Sequence, residues 1–162
     1  MKSSTVTVKD ILSFEPCEEW TEERIKKAFG KKNKVDALWI LNQKHVSTLD
    51  RLWLVLREEL LPAPVLQEFE CLCTKRILQK ERRAGKEPDP RSWAVIKAKR
   101  AWLKGEITDE ELAVALEGAR NTWWTTNATW AARVVVWWDT GGDEEKAERK
   151  WQIATLKKML VK

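Results

Sequence analysis

Tryptophan placement constrains this 162-residue chain more than any other feature. Of eleven tryptophans, Trp123, Trp124, Trp130, Trp137 and Trp138 fall within sixteen positions, and tyrosine is absent. Steps of seven residues are two turns of an α-helix, so these rings line one side of a single rod. With Leu112, Leu116, Ala119 and Val134 they form the stripe of a helix expected over 108–139, and Thr122, Thr125, Thr126, Thr129 and Arg133 cover its opposite side. Arg120 and Asn127 sit inside the stripe. Polar groups among indoles must be bonded to a neighbour, stacked as cation–π pairs, or open to a ligand. Two readings follow: a core helix, and a ligand pocket lined by Arg120, Asn127, Trp123, Trp124 and Trp138.

At 43% hydrophobic and 34% charged, the chain has enough apolar surface to fold and too little to be a membrane protein. The longest apolar runs, such as Val134 to Trp138, are far too short to span a bilayer. The opening MKSSTVTVKD has no hydrophobic signal segment, which sets the expectation of a cytoplasmic protein. Three cysteines, Cys17, Cys71 and Cys73, are an odd number and suit a reducing compartment with free thiols. Cys71 and Cys73 lie two apart in a helical pattern and point to nearly opposite sides, so no shared metal is expected.

The punctuation is almost wholly helical. Thr108-Asp-Glu-Glu111 spells a capping box after Gly105, Asp89-Pro90 an N-cap with proline in the first turn, and Gly141-Gly142-Asp143 a stop followed by a start. Ser47 or Thr48 opens a helix whose Leu49, Leu52, Trp53, Leu56 and Leu60 share one face up to Pro62. These marks predict helices over 21–29, 36–43, 48–61, 64–83, 91–104, 108–139 and 143–161. The alternation from Ser4 to Val8 is the only strand-like one, too short and isolated to build a sheet. The expected fold is an all-α bundle of six or seven helices around the long Trp-rich one. It would form a single domain over 1–162, with Gly85 to Pro90 as a candidate divide between lobes 1–84 and 90–162.

Three basic segments stand out. Between Arg91 and Lys104 there is no acid, and Trp93, Lys97, Arg100 and Lys104 recur at helical spacing on one face. An indole among three cations suits a partner-binding surface, by phosphate contact and stacking or by anchoring on an acidic protein. A solvated basic face with Trp93 tucked beneath a neighbour is the plainer reading. Arg24, Lys26, Lys27, Lys31, Lys32 and Lys34 form another acid-free run, and Lys75, Arg76, Lys80, Arg82, Arg83 and Lys86 nearly do. Acids cluster as well, at Glu15, Glu18, Glu19, Glu22 and Glu23 and again at Glu106, Asp109, Glu110 and Glu111. With a net charge of +5, nucleic acid is a weakly supported partner.

Catalysis has little in its favour. His45 is the single histidine, with no carboxylate or thiol at a diagnostic spacing, and there is no phosphate loop, zinc spacing or nucleophile elbow. Dense charges at Asp50, Arg51, Arg57, Glu58 and Glu59 are explained by pairing along a helix. The expectation is no enzyme, no cofactor and no metal.

The landmarks in order are KDILSF-x-PCEEW, TLDRLWLVLREELLPAPVLQEF, a D-P-R helix start, KGEITDEEL, the long aromatic helix and a closing KWQIATLKKML. From Lys9 to Leu160 this resembles a family of small all-helical proteins common in phage genomes of gut bacteria, often labelled immunity proteins after the inhibitors of polymorphic toxin systems. The present chain differs in bulking out the long helix with Thr125, Thr126, Val134, Val135 and Val136. The resemblance implies a non-enzymatic, phage-borne binding protein in the cytoplasm of the bacterial host. It would neutralise a toxin or a defence effector by stoichiometric occlusion, as an immunity protein or an anti-defence inhibitor of the anti-CRISPR type. Its partner would be that effector. The resemblance carries over no site residues, so the face bearing Trp93, Lys97, Arg100 and Lys104 is expected from helical spacing alone, and a second copy of the chain is a further candidate partner. Two alternatives stay open: a sponge for a nucleotide immune signal at Arg120 and Asn127, and a nucleic-acid-binding accessory protein.

Overall fold

Thr7, Thr21, Asp36, Ser47, Asp89 and Thr108 each stand one residue ahead of a helix, and each side chain accepts a backbone N–H of the first turn. Such caps satisfy donors that a helix start otherwise leaves open, at about 1 kcal/mol apiece. The computed structural model describes residues 4–117 and 142–161. Its helices are α1 (Val8–Ser13), α2 (Glu22–Phe29), α3 (Ala37–Leu41), α4 (Thr48–Val55), α5 (Ala63–Arg83), α6 (Pro90–Leu103), α7 (Asp109–Glu117) and α8 (Gly142–Val161). The described residues are therefore all-α in class, as the sequence leads one to expect. Thr108 and Glu111 close their capping box, with Thr108 N donating to Glu111 Oε2 at 2.8 Å and Glu111 N to Thr108 Oγ1 at 3.2 Å. The Trp-rich stretch of the helix expected over 108–139 lies outside the described residues.

Two local expectations change. Ser4 to Val8 is not isolated: β1 (Thr5–Val6) pairs antiparallel with β2 (Val35–Asp36), Val6 opposite Val35. Both valines are buried, which rewards the pairing. The helix expected over 48–61 stops at Val55. Leu56 leaves helical geometry (φ −78°, ψ 62°), and Arg57 to Leu61 form turns bonded to the Arg57 carbonyl. The apolar pattern continues past the end because Leu60 and Leu61 are buried from the turn. Arg57 explains the break: its guanidinium lies 4.5 Å from the Phe14 ring centroid and 4.2 Å from that of Trp53. Two cation–π contacts hold this buried arginine; Trp53, four residues back, would stay its neighbour in a continued helix, so the contact with Phe14 is the one that sets the turn.

The chain divides into two compact units, one of residues 1–62 with 141–162 and one of 63–140. In the first, α3 packs on α4 and both pack on α8, while α1 packs on α2. Ile153 and Leu156 of α8 are buried there, so the C-terminal helix completes a unit begun by the N-terminal third. In the second, α5 packs on α6 and α6 on α7. The Gly85 to Pro90 stretch is the α5–α6 connection inside this second unit, not the place where the units part.

Candidate functional site

The acid-free helix α6 meets its acids in space. Lys99, which falls between the residues of the expected face, is buried and donates to Glu70 Oε2 on α5 at 2.6 Å. Arg100 grips Glu68 of α5 with two contacts, Nη2 to Oε1 at 2.8 Å and Nε to Oε2 at 3.2 Å. Lys104 lies 3.5 Å from Glu106. Trp93 is not an exposed indole. It packs on the buried cluster of Cys71, Leu78 and Ile96, and the Arg82 guanidinium sits 5.1 Å from its ring centroid. Its Nε1 is buried with no hydrogen-bond partner among the described residues. Of the expected face, only Lys97 is both exposed and without an ion pair among the described residues.

This placement makes Trp93 a packing residue. Trp93→Ala is expected to lower unfolding free energy by roughly 2 kcal/mol, below the usual cost for a fully buried indole because the ring is half-exposed. Urea denaturation checks it, and a loss under 0.5 kcal/mol (about the spread of surface substitutions) would return the indole to the surface.

The second expected site, Arg120, Asn127, Trp123, Trp124 and Trp138, lies outside the described residues. The cysteines are free; Cys17 is exposed, Cys71 and Cys73 buried. Burial first, and the Glu70 charge second, push the Cys71 thiol up to about 12, so it stays protonated and unreactive at neutral pH. Among the described residues no three His, Cys, Asp or Glu side chains gather as a metal site, and no helix is long and apolar enough to cross a membrane.

A different site emerges in the first unit. Ile11 of α1, Ile25 and Phe29 of α2 and Ile40 of α3 form the buried floor of an open pocket. Trp20, Trp39 and Trp53, all half-buried, rise around it with Pro16, Val46 and Leu54. Trp39 is held edge-on to Phe29 with centroids 5.8 Å apart, and Arg24 lies 4.4 Å from the Trp20 centroid. The cavity itself holds about 60 Å³, well below the roughly 300–1,000 Å³ of small-molecule sites, which suits one apolar side chain and not a whole small molecule.

Gln43, Asp50 and Arg51, the non-aromatic polar side chains lining this pocket, already have partners in the chain. Gln43 Nε2 donates to the Trp39 carbonyl at 2.8 Å, and Arg51 donates to the carbonyls of Leu41 at 2.9 Å and Ser47 at 3.3 Å. Asp50 Oδ2 accepts from Ser47 Oγ at 2.8 Å. A polar ligand would find few partners here, whereas an apolar side chain would lose only water. Through Trp20 and Ala28 the pocket adjoins a shallower concavity with Glu23, Arg24, Lys27 and His45. Sequence periodicity cannot assemble this site, because its three indoles come from three separate segments: the α1–α2 connection, the five-residue α3 and α4. No protein-family model, no curated protein and no solved structure matches this chain.

Proposed function

We propose that the chain is a non-enzymatic binding protein that occludes a protein effector stoichiometrically, with the pocket of the first unit as the socket for an apolar anchor. The observation that carries this reading is three half-buried indoles around an apolar floor, with Gln43, Asp50 and Arg51 already bonded within the chain. Interface hot spots concentrate in Trp and Arg, and here guanidinium groups stack on two of the three socket indoles. The motif order resembling phage-encoded helical immunity proteins makes a bacterial toxin or defence effector the proposed target class, inside the host cell. The sponge reading rests on Arg120 and Asn127 and gains no support from the described residues.

The test is a titration of purified chain against the activities of a panel of bacterial toxins and defence effectors. Inhibition should grow linearly to one equivalent and then stay flat. Inhibition by a small fraction of an equivalent that deepens with time would indicate an enzyme and sink the reading, as would no inhibition across the panel.

The exposed cations of α6 belong to the same proposal as an encounter surface for an acidic partner. Lys97→Glu with Lys104→Glu is expected to slow association several-fold at low salt and to leave dissociation unchanged, because surface charge steers approach more than it holds. Stopped-flow mixing separates the two rates; a change confined to dissociation would place these lysines inside the interface.

A further inference from the structure

The most basic surface of the first unit lies beyond Arg24, which stacks on the socket's Trp20. From Lys26 to Lys34 there are five cations and no acid. Gly30 closes α2 at φ +61°, a conformation that favours glycine, and turns the chain back so that Lys31, Lys32 and Lys34 are all exposed. The β1–β2 pairing then draws in the start of α1. Lys9, Lys26 and Lys32, from three separate segments, line one open concavity with Thr7 and Asn33.

Two nearby acids are engaged elsewhere: Asp10 accepts from the Thr7 amide at 2.8 Å and hydroxyl at 2.7 Å, and Asp36 accepts from Trp39 N at 2.7 Å. Glu22 pairs with one collar lysine, Lys26, at 2.5 Å. Lys27, Lys31, Lys32 and Lys34 have no ion pair among the described residues.

We infer that this lysine collar holds the phosphate backbone of duplex nucleic acid without reading its sequence. The choice of partner follows from the side chains. Lysine is depleted in protein–protein interfaces, where Trp, Tyr and Arg supply the anchors, but it serves phosphates well as a point charge. Single strands are gripped by stacking bases on aromatic rings, and the ring lining the collar, Phe29, is buried. Backbone charge is what remains for these ammonium groups to meet. Each phosphate neutralised contributes about −0.9 to the slope of log K against log salt. Four contacts would weaken binding roughly 100-fold between about 50 and 200 mM salt.

Fluorescence anisotropy with two labelled duplexes of unrelated sequence, each of roughly two helical turns, tests this on the full-length protein. Both duplexes should bind with Kd values within about a factor of two and with a slope near −3 to −4. The triple variant Lys31→Ala, Lys32→Ala, Lys34→Ala should flatten that slope by about 2–3 units, and Lys→Arg at the same three positions should restore it. A charge-matched control, Lys75→Ala with Lys86→Ala and Lys150→Ala, should leave the slope as in the parent. No binding at about 50 mM salt would overturn the inference. So would equal losses from the two alanine triples, which would reduce the effect to net charge. Tighter binding of a single strand than of the duplex, or competition by polyglutamate as strong as by duplex at equal charge, would overturn it too.

Discussion

Lys99→Met should cost about 3–5 kcal/mol of folding stability, the largest single effect expected in the second unit. Lys99 and Glu70 are 7% and 1% exposed at the side chain, with Nζ and Oε2 2.6 Å apart. The pair joins α6 to α5, and neither charge can turn to solvent when the other is lost. Glu70 is already under-satisfied: its Oε1, like Thr74 Oγ1 one turn further along α5, has no hydrogen-bond partner among the described residues. Methionine keeps the apolar stem of the lysine and removes only the ammonium, so the cost reports the stranded carboxylate. Glu70→Leu combined with Lys99→Met should recover most of the loss, because an apolar pair in place of a buried ion pair is often neutral or stabilising. Urea unfolding of the parent, both single variants and the double variant yields the coupling directly. A Lys99→Met protein within about 1 kcal/mol of the parent would mean that water reaches Glu70, and the buried pair would be refuted.

The sign of the pH dependence follows from the same site. Burial is the dominant influence on Glu70 and lifts its carboxyl above the ordinary 4.5, while Lys99 pulls the other way by charge and hydrogen bond. The folded state thus keeps the Glu70 proton at pH values where the unfolded chain has lost it. Stability from this group is full below 4.5 and falls as pH rises through the window between that value and the raised one. In Lys99→Met nothing opposes the burial, so the window extends further upward. The deficit of the variant relative to the parent should accordingly shrink as the buffer is acidified from about pH 7.5 to about pH 5, since a protonated Glu70 needs no cation.

The Glu70–Lys99 pair also shows where sequence reading reached its limit. Helix starts from α2 onward were legible because capping is local, whereas the Thr7–Asp10 box that opens α1 was hidden behind the strand-like alternation of Ser4 to Val8. Thr108 and Glu111, or Asp89 and Pro90, specify a turn using residues within three positions of each other. The end of α4 was not legible, since Arg57 leaves the helix for Phe14, and no window around Leu56 contains Phe14. The α6 face read as an open basic surface because Glu68 and Glu70 lie 32 and 29 positions from Arg100 and Lys99. The two readings of Trp93, exposed or tucked beneath a neighbour, could not be separated for the same reason: Cys71 and Leu78, on which it packs, belong to the preceding helix. Division into units was hidden more deeply. The helix that completes the first unit follows the whole of the second in sequence, and only packing of α8 on α3 and α4 reveals it. Of the socket indoles only Trp53 lies in a segment long enough for a period to form; Trp20 sits outside any helix and Trp39 in the five-residue α3.

Trp20 is the residue on which the socket can be tested most cleanly. It lies in the connection between α1 and α2, outside any helix, and its ring is half-buried. One side of it walls the apolar pocket, while Ala28 continues both the pocket and the adjoining basic concavity. An anchor side chain from the effector would bury against this indole, so Trp20→Ala should weaken binding by at least 2 kcal/mol, about 30-fold in Kd. Stability should change far less than affinity, because no helix loses a core residue and Arg24 keeps its contact with the Glu19 carbonyl at 3.0 Å. Trp93→Ala supplies the opposite signature, a lower unfolding free energy with unchanged affinity, so the two variants separate a binding indole from a packing one. Ala28→Leu approaches the socket differently: it fills the cavity while leaving all three rings in place, and it should weaken binding to a similar extent. If both variants titrate the effector to the same one-to-one endpoint with the parent's affinity, the pocket is a flaw of core packing and the partner binds elsewhere.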